Sequence, residues 1–154
     1  MINAKHLNLR FLRALPLAAA LLAGTVVQAQ QHVSVRGDEA NMRSGPGMGH
    51  AVQWSLGQGY PLQVTGRQGQ WLRVKDFEND SGWVHRSVTS GTPHMVVKGK
   101  VVNLRHAPST RARVVGKLEY GEVVRTLEKR PGWAHVQRED GQKGWASRGL
   151  LWGW

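Results

Sequence analysis

Cysteine is absent from the 154-residue sequence. Its absence excludes disulfide bonds, a thiol nucleophile and a lipid anchor on cysteine, so stability must come from the packing of apolar side chains. Phenylalanine and tyrosine are scarce, with two of each, whereas there are seven tryptophans. Most of the aromatic surface is therefore indole, which combines a large apolar area with one hydrogen-bond donor and suits a binding surface.

Acidic residues are also few, with ten against 21 basic residues, which gives a formal net charge of +11. Residues 31–91 carry six basic and five acidic side chains, whereas residues 92–154 carry twelve and five. Such an excess raises the local concentration of anions. The charge is compatible with a nucleic-acid ligand, with an anionic polymer, or with a surface that is basic only for solubility.

The apolar run at residues 15–27 is shorter than the roughly 20 residues that span a membrane. It follows the basic residues Lys5, Arg10 and Arg13 and ends at a small-residue site that resembles a signal-peptidase site. We predict a signal peptide over residues 1–29, cleaved near Ala29, and a periplasmic or secreted mature chain without a membrane span. The alternative is an uncleaved anchor. Because exported proteins rarely meet nucleic acid, we expect anionic envelope polymers instead.

The remaining sequence contains two copies of one pattern, 62 residues apart. Residues 71–74 and 82–84 return as residues 133–136 and 144–146. The same offset aligns further glycine, proline, valine and Asn-x-Arg positions without an obvious gap. Internal duplication is the simplest explanation. We therefore predict a first domain over residues 30–91 and a second over residues 92–154.

Both copies have the pattern of β-strands, with short valine-rich runs separated by glycine and proline. Strands are predicted at 33–35, 41–43, 52–56, 61–65, 71–75 and 82–85, with a turn at 66–70 and a hairpin loop at 76–81. Side chains alternate across a strand. Leu72 and Val74 should therefore face the core, while Trp71 and Trp83 should lie together on the opposite face.

Three motifs carry a resemblance to a known family: Asn-x-Arg-x-Gly-Pro at residues 41–46, Trp-x-x-Val at 71–74 and Gly-Trp-Val at 82–84. In combination they resemble the bacterial SH3-like domain family. The resemblance implies an all-β fold of two tandem small barrels, each of about five short antiparallel strands. It also implies a binding role in the bacterial envelope, often at peptidoglycan. The second copy departs at Ala107 and Ala146, and Ala107 is expected to change the shape of the long first loop.

The histidines and serines that could act in catalysis occur without the other groups that a catalytic site needs. Wall hydrolases that carry linked modules of this kind commonly use a cysteine nucleophile, which this sequence lacks. His85 lies beside Ser87, and His135 lies near Ser147, but neither pair has an identifiable third group or a strained nucleophile turn. We therefore expect no enzymatic activity, with a hydrolase as the less favoured alternative.

A metal site is not expected either. Asp76, Glu78 and Asp80 resemble a calcium loop, but the glycine after the third acid and the distal glutamate are missing. We predict that this segment is a solvated hairpin tip. The histidines are scattered and lack the paired spacing of zinc ligands. No cofactor is predicted.

We predict that ligand binding involves the repeated tryptophans and the basic loops of the second copy. These residues are Trp71, Trp83, Trp133, Trp145, Arg111, Arg113, Lys129 and Arg130. In an SH3-like barrel the two corresponding loops flank one groove, so the cations would border an aromatic floor. Arginine stacked on an exposed indole contributes about 0.5–1 kcal/mol. The alternative is that barrel curvature buries the indoles, which would then serve only packing.

The expected ligand is peptidoglycan or another anionic envelope polymer, and the alternative is another envelope protein on which a monomeric chain docks. The C-terminal residues 150–154 are unusually apolar for a chain end. We expect them to cover the junction between the copies or the open end of the second barrel, rather than to form an exposed patch.

Overall fold

The computed structural model describes residues 30–154, and the predicted signal peptide lies outside the described residues. The described chain forms two antiparallel sheets of seven strands each. Its helical content is two single-turn 3-10 helices, Arg86–Val88 and Arg148–Leu150. Neither these nor any other helix within residues 30–154 has the length and apolar character of a membrane span.

The first sheet has the strand order β3-β2-β6-β5-β4-β1-β7. Its strands are β1 (His32–Val35), β2 (Glu39–Arg43), β3 (Val52–Gly57), β4 (Pro61–Gln68), β5 (Trp71–Lys75), β6 (Ser81–His85) and β7 (Thr89–Ser90).

The second sheet has the equivalent order β10-β9-β13-β12-β11-β8-β14. Its strands are β8 (His94–Val97), β9 (Val101–Arg105), β10 (Val114–Glu119), β11 (Val123–Arg130), β12 (Trp133–Gln137), β13 (Lys143–Ser147) and β14 (Leu151–Gly153). Every strand begins 62 residues after its counterpart. The duplication in the sequence is therefore a duplication of structure.

The predicted fold class is confirmed, with two differences in detail. Each sheet has seven strands in place of the five or so that the resemblance implies: the six segments predicted from the sequence and one short edge strand, β7 or β14. Two or three residues are too few to show a strand period. The predicted turn at residues 66–70 is wrong in extent, since β4 continues to Gln68 through a register shift between Val64 and Gly66.

Each sheet encloses its own apolar core. Val74 and Val84 are fully buried in the first core, and Val136 and Ala146 are fully buried in the second. These positions alternate with exposed or half-buried ones along β5, β6 and β12, whereas β13 has three consecutive buried residues, Gly144 to Ala146. The predicted direction of the core-facing side chains is therefore confirmed.

The glycine of the Gly-Trp motif is required by close packing against β2 or β9. A Cβ atom on Gly82 would lie 2.5 Å from Met42 Cγ, and one on Gly144 would lie 2.5 Å from Leu104 Cγ. Carbon atoms pack at about 3.5–4.0 Å, so neither site has space for a methyl group.

The arginine of the Asn-x-Arg motif holds the long first loop in each domain. The Nη1 atom of Arg43 donates to the carbonyls of Met48 at 3.2 Å and His50 at 2.9 Å. Arg105 donates in the same way to the carbonyl of Ala112 at 2.8 Å. Each of these two arginines therefore holds the first loop of its domain through its Nη1 atom.

Ala107 does not change the shape of this loop, so that expectation is wrong. The loops of both domains close with equivalent backbone hydrogen bonds. A Cβ atom on Gly45 would lie 2.5 Å from the His50 ring, but the second domain has Ala112 where the first has His50. The smaller Ala112 side chain leaves space for the methyl group of Ala107.

The apolar C-terminus packs on the protein, as predicted. Strand β14 pairs with β8, and the carbonyl of Trp154 accepts a 2.7 Å hydrogen bond from Thr126 Oγ1. His32 of the first domain packs edge-on against Trp152 at 5.5 Å between ring centroids and stacks on Trp154 at 5.4 Å. The C-terminal segment therefore covers part of the junction between the domains.

Candidate functional site

Trp71 lies on the outer face of β5, opposite the core-facing Leu72. Its cross-strand partner on β6 is His85, and the two rings meet edge-on with centroids 5.2 Å apart. The indole is half-buried. The expected pairing of Trp71 with Trp83 is therefore replaced by a contact between Trp71 and a histidine.

Trp133 is the equivalent residue of the second domain, and it is also half-buried but has a different cross-strand neighbour. Its cross-strand partner is Ser147, whose side chain is too short to cover the indole. A groove of about 160 Å³ remains beside the ring. Arg105 and Thr110 also line this groove.

Trp83 lies on the middle strand of three, with Arg43 opposite it on β2 and Arg73 opposite it on β5. It is half-buried. Cross-strand neighbours have Cβ atoms about 4.5–5.5 Å apart. The indole therefore lies between two cationic positions, and its remaining exposed edge is available to a ligand.

Trp145 differs most from its prediction, because only 7% of its surface is exposed. His135 stacks on the indole at 4.8 Å with an angle of 13° between the rings. The guanidinium carbon of Arg130 lies 4.8 Å from the ring centroid. The expected exposure is wrong for this residue, since its neighbours cover the ring.

The predicted cations do not form one border around the aromatic groove. Arg111 and Arg113 are exposed in the first loop of the second domain, next to the groove residue Thr110. Lys129 and Arg130 belong to the end of β11 rather than to a turn. Arg130 also pairs with Glu128 at 2.7 Å, with both side chains about half exposed. The structure therefore brings Arg130 to Trp145 and leaves the other three cations in solvent.

His85 and Ser87 are in hydrogen-bond contact, with 2.7 Å between Nδ1 and Oγ. The same Nδ1 accepts from the backbone N–H of Ser87 at 3.2 Å and caps the short 3-10 helix. Within residues 30–154, no carboxylate is hydrogen bonded to His85. The contact has the geometry of a local cap and lacks the third group of a triad.

The three acidic residues of the first hairpin lie close together, with one oxygen of each within 4.8 Å of the others. Asp76 is nevertheless 5% exposed, so the predicted solvated tip is wrong at this residue. Its Oδ1 accepts the backbone N–H groups of Glu78 and Asp80 at 2.9 Å each. Burial raises the pKa of Asp76, partly opposed by these hydrogen bonds. The Asp76 carboxylate therefore accepts hydrogen bonds from the hairpin backbone.

Sequence reasoning missed one exposed apolar region of the first domain. Trp54 is 52% exposed, Val52 is 48% exposed, and both lie on the edge strand β3. Met48 in the preceding loop is 74% exposed. The available signal was that Trp54 has no counterpart in the repeat, where Gly116 occupies the equivalent position.

The family assignment follows from comparison with known families, and both domains match. Residues 36–91 match one bacterial SH3 domain family, and residues 100–151 match another of the same description. Together the matches cover most of the two sheets. The chain belongs to the bacterial SH3 domain families, with two domains in tandem, as the sequence motifs predicted.

One curated relative is the putative N-acetylmuramoyl-L-alanine amidase YrvJ of Bacillus subtilis (strain 168), which is 25% identical over 134 residues. The aligned region covers 80% of this chain and 26% of the relative. The chain therefore spans about a quarter of the length of that protein.

Similar solved structures include NlpC1 and NlpC2 from Trichomonas vaginalis, each with 13% identity and a TM-score of 0.37. The matches cover 84% and 81% of this chain and 48% of each of those chains. An NlpC/P60 family protein from Bacillus cereus has 13% identity and a TM-score of 0.38, covering 80% of this chain and 56% of that one.

Proposed function

We propose that this chain is a non-catalytic, exported binding module of the bacterial envelope that binds peptidoglycan through the groove beside Trp133. The observation that carries the proposal is the open groove of about 160 Å³, which combines an indole with Arg105. It lies in the domain that holds most of the excess positive charge. Trp83, flanked by Arg43 and Arg73, is a second contact surface on the first domain.

The chemistry of the groove suits this ligand. Sugar rings offer apolar faces to an indole, and wall peptides carry carboxylates that arginine binds with charge-assisted hydrogen bonds. Arg111 and Arg113 are exposed beside Thr110 and add to the positive field without closing the groove. The Bacillus subtilis relative is named as a putative N-acetylmuramoyl-L-alanine amidase, which supports a wall-related role for this chain too.

The absence of catalysis is part of the proposal. The sequence contains no cysteine nucleophile. The contact between His85 and Ser87 caps a 3-10 helix. The pure chain should release no soluble fragments from labelled wall material, and fragment release would refute this part.

Retention of residues 30–154 on purified sacculi tests the groove directly. Ser147→His places in the second domain the residue that covers Trp71 in the first, so the variant should fold. We expect Ser147→His and Trp133→Ala each to weaken retention about tenfold, equivalent to 1.4 kcal/mol. The matched control is His85→Ser, which should retain full binding. Unchanged retention for both second-domain variants would contradict the proposal.

The electrostatic contribution has its own test. Exposed charges interact less at high salt because screening shortens their range. Arg111→Glu combined with Arg113→Glu should reduce retention at low salt and should have little effect at high salt. Equal retention of wild type and double variant at both salt concentrations would remove the role of these arginines.

A protein ligand is the second candidate, favoured by the exposed Val52 and Trp54 on the edge strand β3. Edge strands offer unpaired backbone groups to an added strand. This candidate predicts that Trp54→Ser abolishes a specific cross-link to an envelope protein in cells and leaves sacculus retention unchanged. Persistence of every cross-link in Trp54→Ser would reject it.

A further inference from the structure

A large cleft lies between the two domains, away from the groove beside Trp133. Its volume is about 1380 Å³. The first domain contributes the β1–β2 turn at residues 36–38 and the β3–β4 turn at residues 57–59. The second domain contributes part of β11 and the hairpin loop at residues 137–140. Neither domain alone forms this cavity.

The duplication explains why the cleft is open. On one side of the junction, the first hairpin meets the β10–β11 turn: the Phe77 and Tyr120 rings lie 5.5 Å apart, and the Tyr120 hydroxyl donates to Glu78. The equivalents of Phe77 and Tyr120 at the 62-residue offset are Glu139 and Gln58, and both line the cleft. Aromatic residues fill one junction, whereas polar residues leave the equivalent one empty.

Both walls of the cleft carry charges of both signs. Arg36 and Asp38 lie on the first-domain wall, and Arg125 and Glu139 lie on the second-domain wall. None of these four residues takes part in the two salt bridges found within residues 30–154. These four charges, together with Asp140 on the second-domain wall, are therefore free to pair with a ligand.

Arg138 also lines the cleft but is already engaged. Its Nε atom pairs with Glu122 at 2.6 Å, and this hydrogen bond raises the pKa of the Arg138 guanidinium. Two positive and three negative charges of the cleft form no salt bridge within residues 30–154: Arg36, Arg125, Asp38, Glu139 and Asp140.

The walls are fixed relative to each other by direct contacts at the floor. Ser34 Oγ donates to the carbonyl of Thr92 at 2.8 Å across the interdomain linker. Gly59 lies against His94, and a Cβ atom there would be 2.7 Å from the imidazole ring. These contacts hold the cleft open without a ligand, which reduces the ordering cost of binding.

We propose that this interdomain cleft is a binding site for short peptides that carry both a free amino group and free carboxylates. Such a ligand presents a carboxylate to Arg36 or Arg125 and an ammonium group to Asp38 or Glu139. A purely anionic or purely cationic ligand would leave one pair of charges without a partner and would bind less well. The proposal goes beyond the Trp133 groove and does not require that groove to bind the wall.

The direct test is NMR titration of residues 30–154 with the tetrapeptide Ala-Glu-Lys-Ala. Saturable shifts are expected in the backbone amides of residues 36–38, 57–59 and 137–140. The matched control peptide, acetyl-Ala-Gln-Gln-Ala-amide, carries neither an ammonium group nor a carboxylate and should bind about tenfold more weakly. Equal shifts with both peptides, or no saturable shift, would overturn the proposal.

Two sets of variants connect binding to the cleft. Arg125→Gln and Asp38→Asn each remove one charge and should weaken binding about tenfold. Gln58→Tyr combined with Glu139→Phe copies the aromatic contact from the other side of the junction. The two rings should meet across the cleft, obstruct it there and abolish peptide binding without lowering Tm. Undiminished binding in this folded double variant would place the peptide elsewhere and refute the site.

Free peptides and wall-borne peptides both carry amino and carboxylate groups. Retention on sacculi distinguishes between these two sources of ligand. If Arg125→Gln and Asp38→Asn reduce both peptide binding and retention, wall-borne peptides are the source. If they reduce peptide binding alone, free peptides are the source. Failure of the Trp133 groove variants to alter retention concerns the proposed function only, because the peptide titration does not depend on it.

Discussion

The two domains each contain one tryptophan–histidine pair, but the pair lies at a different position in each. In the first domain His85 covers Trp71, whereas Trp83 has arginines as cross-strand partners. In the second domain His135 covers Trp145, and Trp133 faces the small Ser147. The backbones repeat in register, yet Trp145 is buried, whereas its equivalent Trp83 is half-buried.

This difference shows how a duplicated fold can acquire two different surfaces. A change of the side chains at two cross-strand positions alters which indole has a large partner opposite it. The hydrogen bonds between β5 and β6, or between β12 and β13, stay the same. Directly opposite residues are neighbours, so one bulky partner is enough to cover a ring. The identity of the partner, rather than the presence of tryptophan, decides whether a groove exists.

The hairpin loops show a second difference of the same kind. In the first domain, the Tyr60 hydroxyl donates to the buried Asp76 at 3.3 Å. At the equivalent positions, the second domain has the half-exposed pair of Glu122 and Arg138. One loop is capped internally by a carboxylate, and the other is linked by an ion pair at the surface.

Substitution of the motif glycines should have the largest effect and should separate the two cores. Gly144→Ala places its methyl group against the branched Leu104, with the Arg105 carbonyl oxygen at 2.9 Å. Gly82→Ala meets the flexible Met42, which can adjust more easily. We expect a loss of about 3 kcal/mol for Gly144→Ala and about 1–2 kcal/mol for Gly82→Ala.

Urea unfolding measures these losses, with Gly149→Ala as the control because no heavy atom lies within 4 Å of its Cβ position. A larger loss for Gly82→Ala than for Gly144→Ala would show that the side chains on β2 and β9 do not set the cost.

Removal of the hairpin cap should have the next largest effect. Asp76→Ala leaves the backbone N–H groups of Glu78 and Asp80 without their acceptor, which should cost about 2 kcal/mol. Arg138→Ala should cost less than about 1 kcal/mol, because its ion pair is partly exposed. Asp76→Asn retains one acceptor oxygen and should fall between them. If thermal unfolding shows the largest loss of stability for Arg138→Ala, this comparison of the two hairpin loops is wrong.

The first loop offers a double-mutant cycle. Gly45→Ala alone should destabilise the first domain by about 1 kcal/mol, because its methyl group would meet the His50 ring. Gly45→Ala combined with His50→Ala reproduces the Ala107 and Ala112 pair of the second domain and should restore stability. Additive losses measured by chemical unfolding would indicate that the two sites do not interact.

The smallest expected effect concerns pH at the junction. Burial against Trp152 and Trp154 lowers the pKa of His32, and Lys129 lowers it further. The unfolded chain therefore binds a proton more readily than the folded chain. The stabilising effect of neutral His32 is complete above the unfolded pKa of about 6.5 and is lost as the pH falls toward the folded pKa.

Comparison of wild type with His32→Phe checks this effect. The drop in Tm between pH 7.5 and pH 5 should be smaller in the variant, since Phe keeps the aromatic contact without a titrating group. An equal drop in both proteins would show that His32 titration does not affect the junction.

The repeat, the strand alternation and the family motifs were readable directly from the residues. Val74 and Trp71 could be assigned to opposite faces because alternation is local geometry. Gly82 and Arg43 could be recognised as motif residues, although their reasons, a close approach to Met42 and a clamp on the first loop, appear only in the packed structure.

The exposed fraction of each tryptophan could not be predicted from the residue pattern within a strand. Trp83 and Trp145 occupy equivalent positions, yet Trp145 is covered by His135, a neighbour on another strand, and by Arg130 from β11. Such coverage depends on register across the sheet and on which partner stands opposite. Neither is visible in a single strand.

Local residue order was therefore sufficient for the fold, the duplication and the core-facing positions, because strand alternation and turn chemistry act over a few residues. The accessible groove and the interdomain cleft required the folded chain. Both depend on residues far apart in the sequence, such as Trp133 with Ser147 and Gln58 with Glu139. Packing across strands and between domains decides which of these side chains leave space between them.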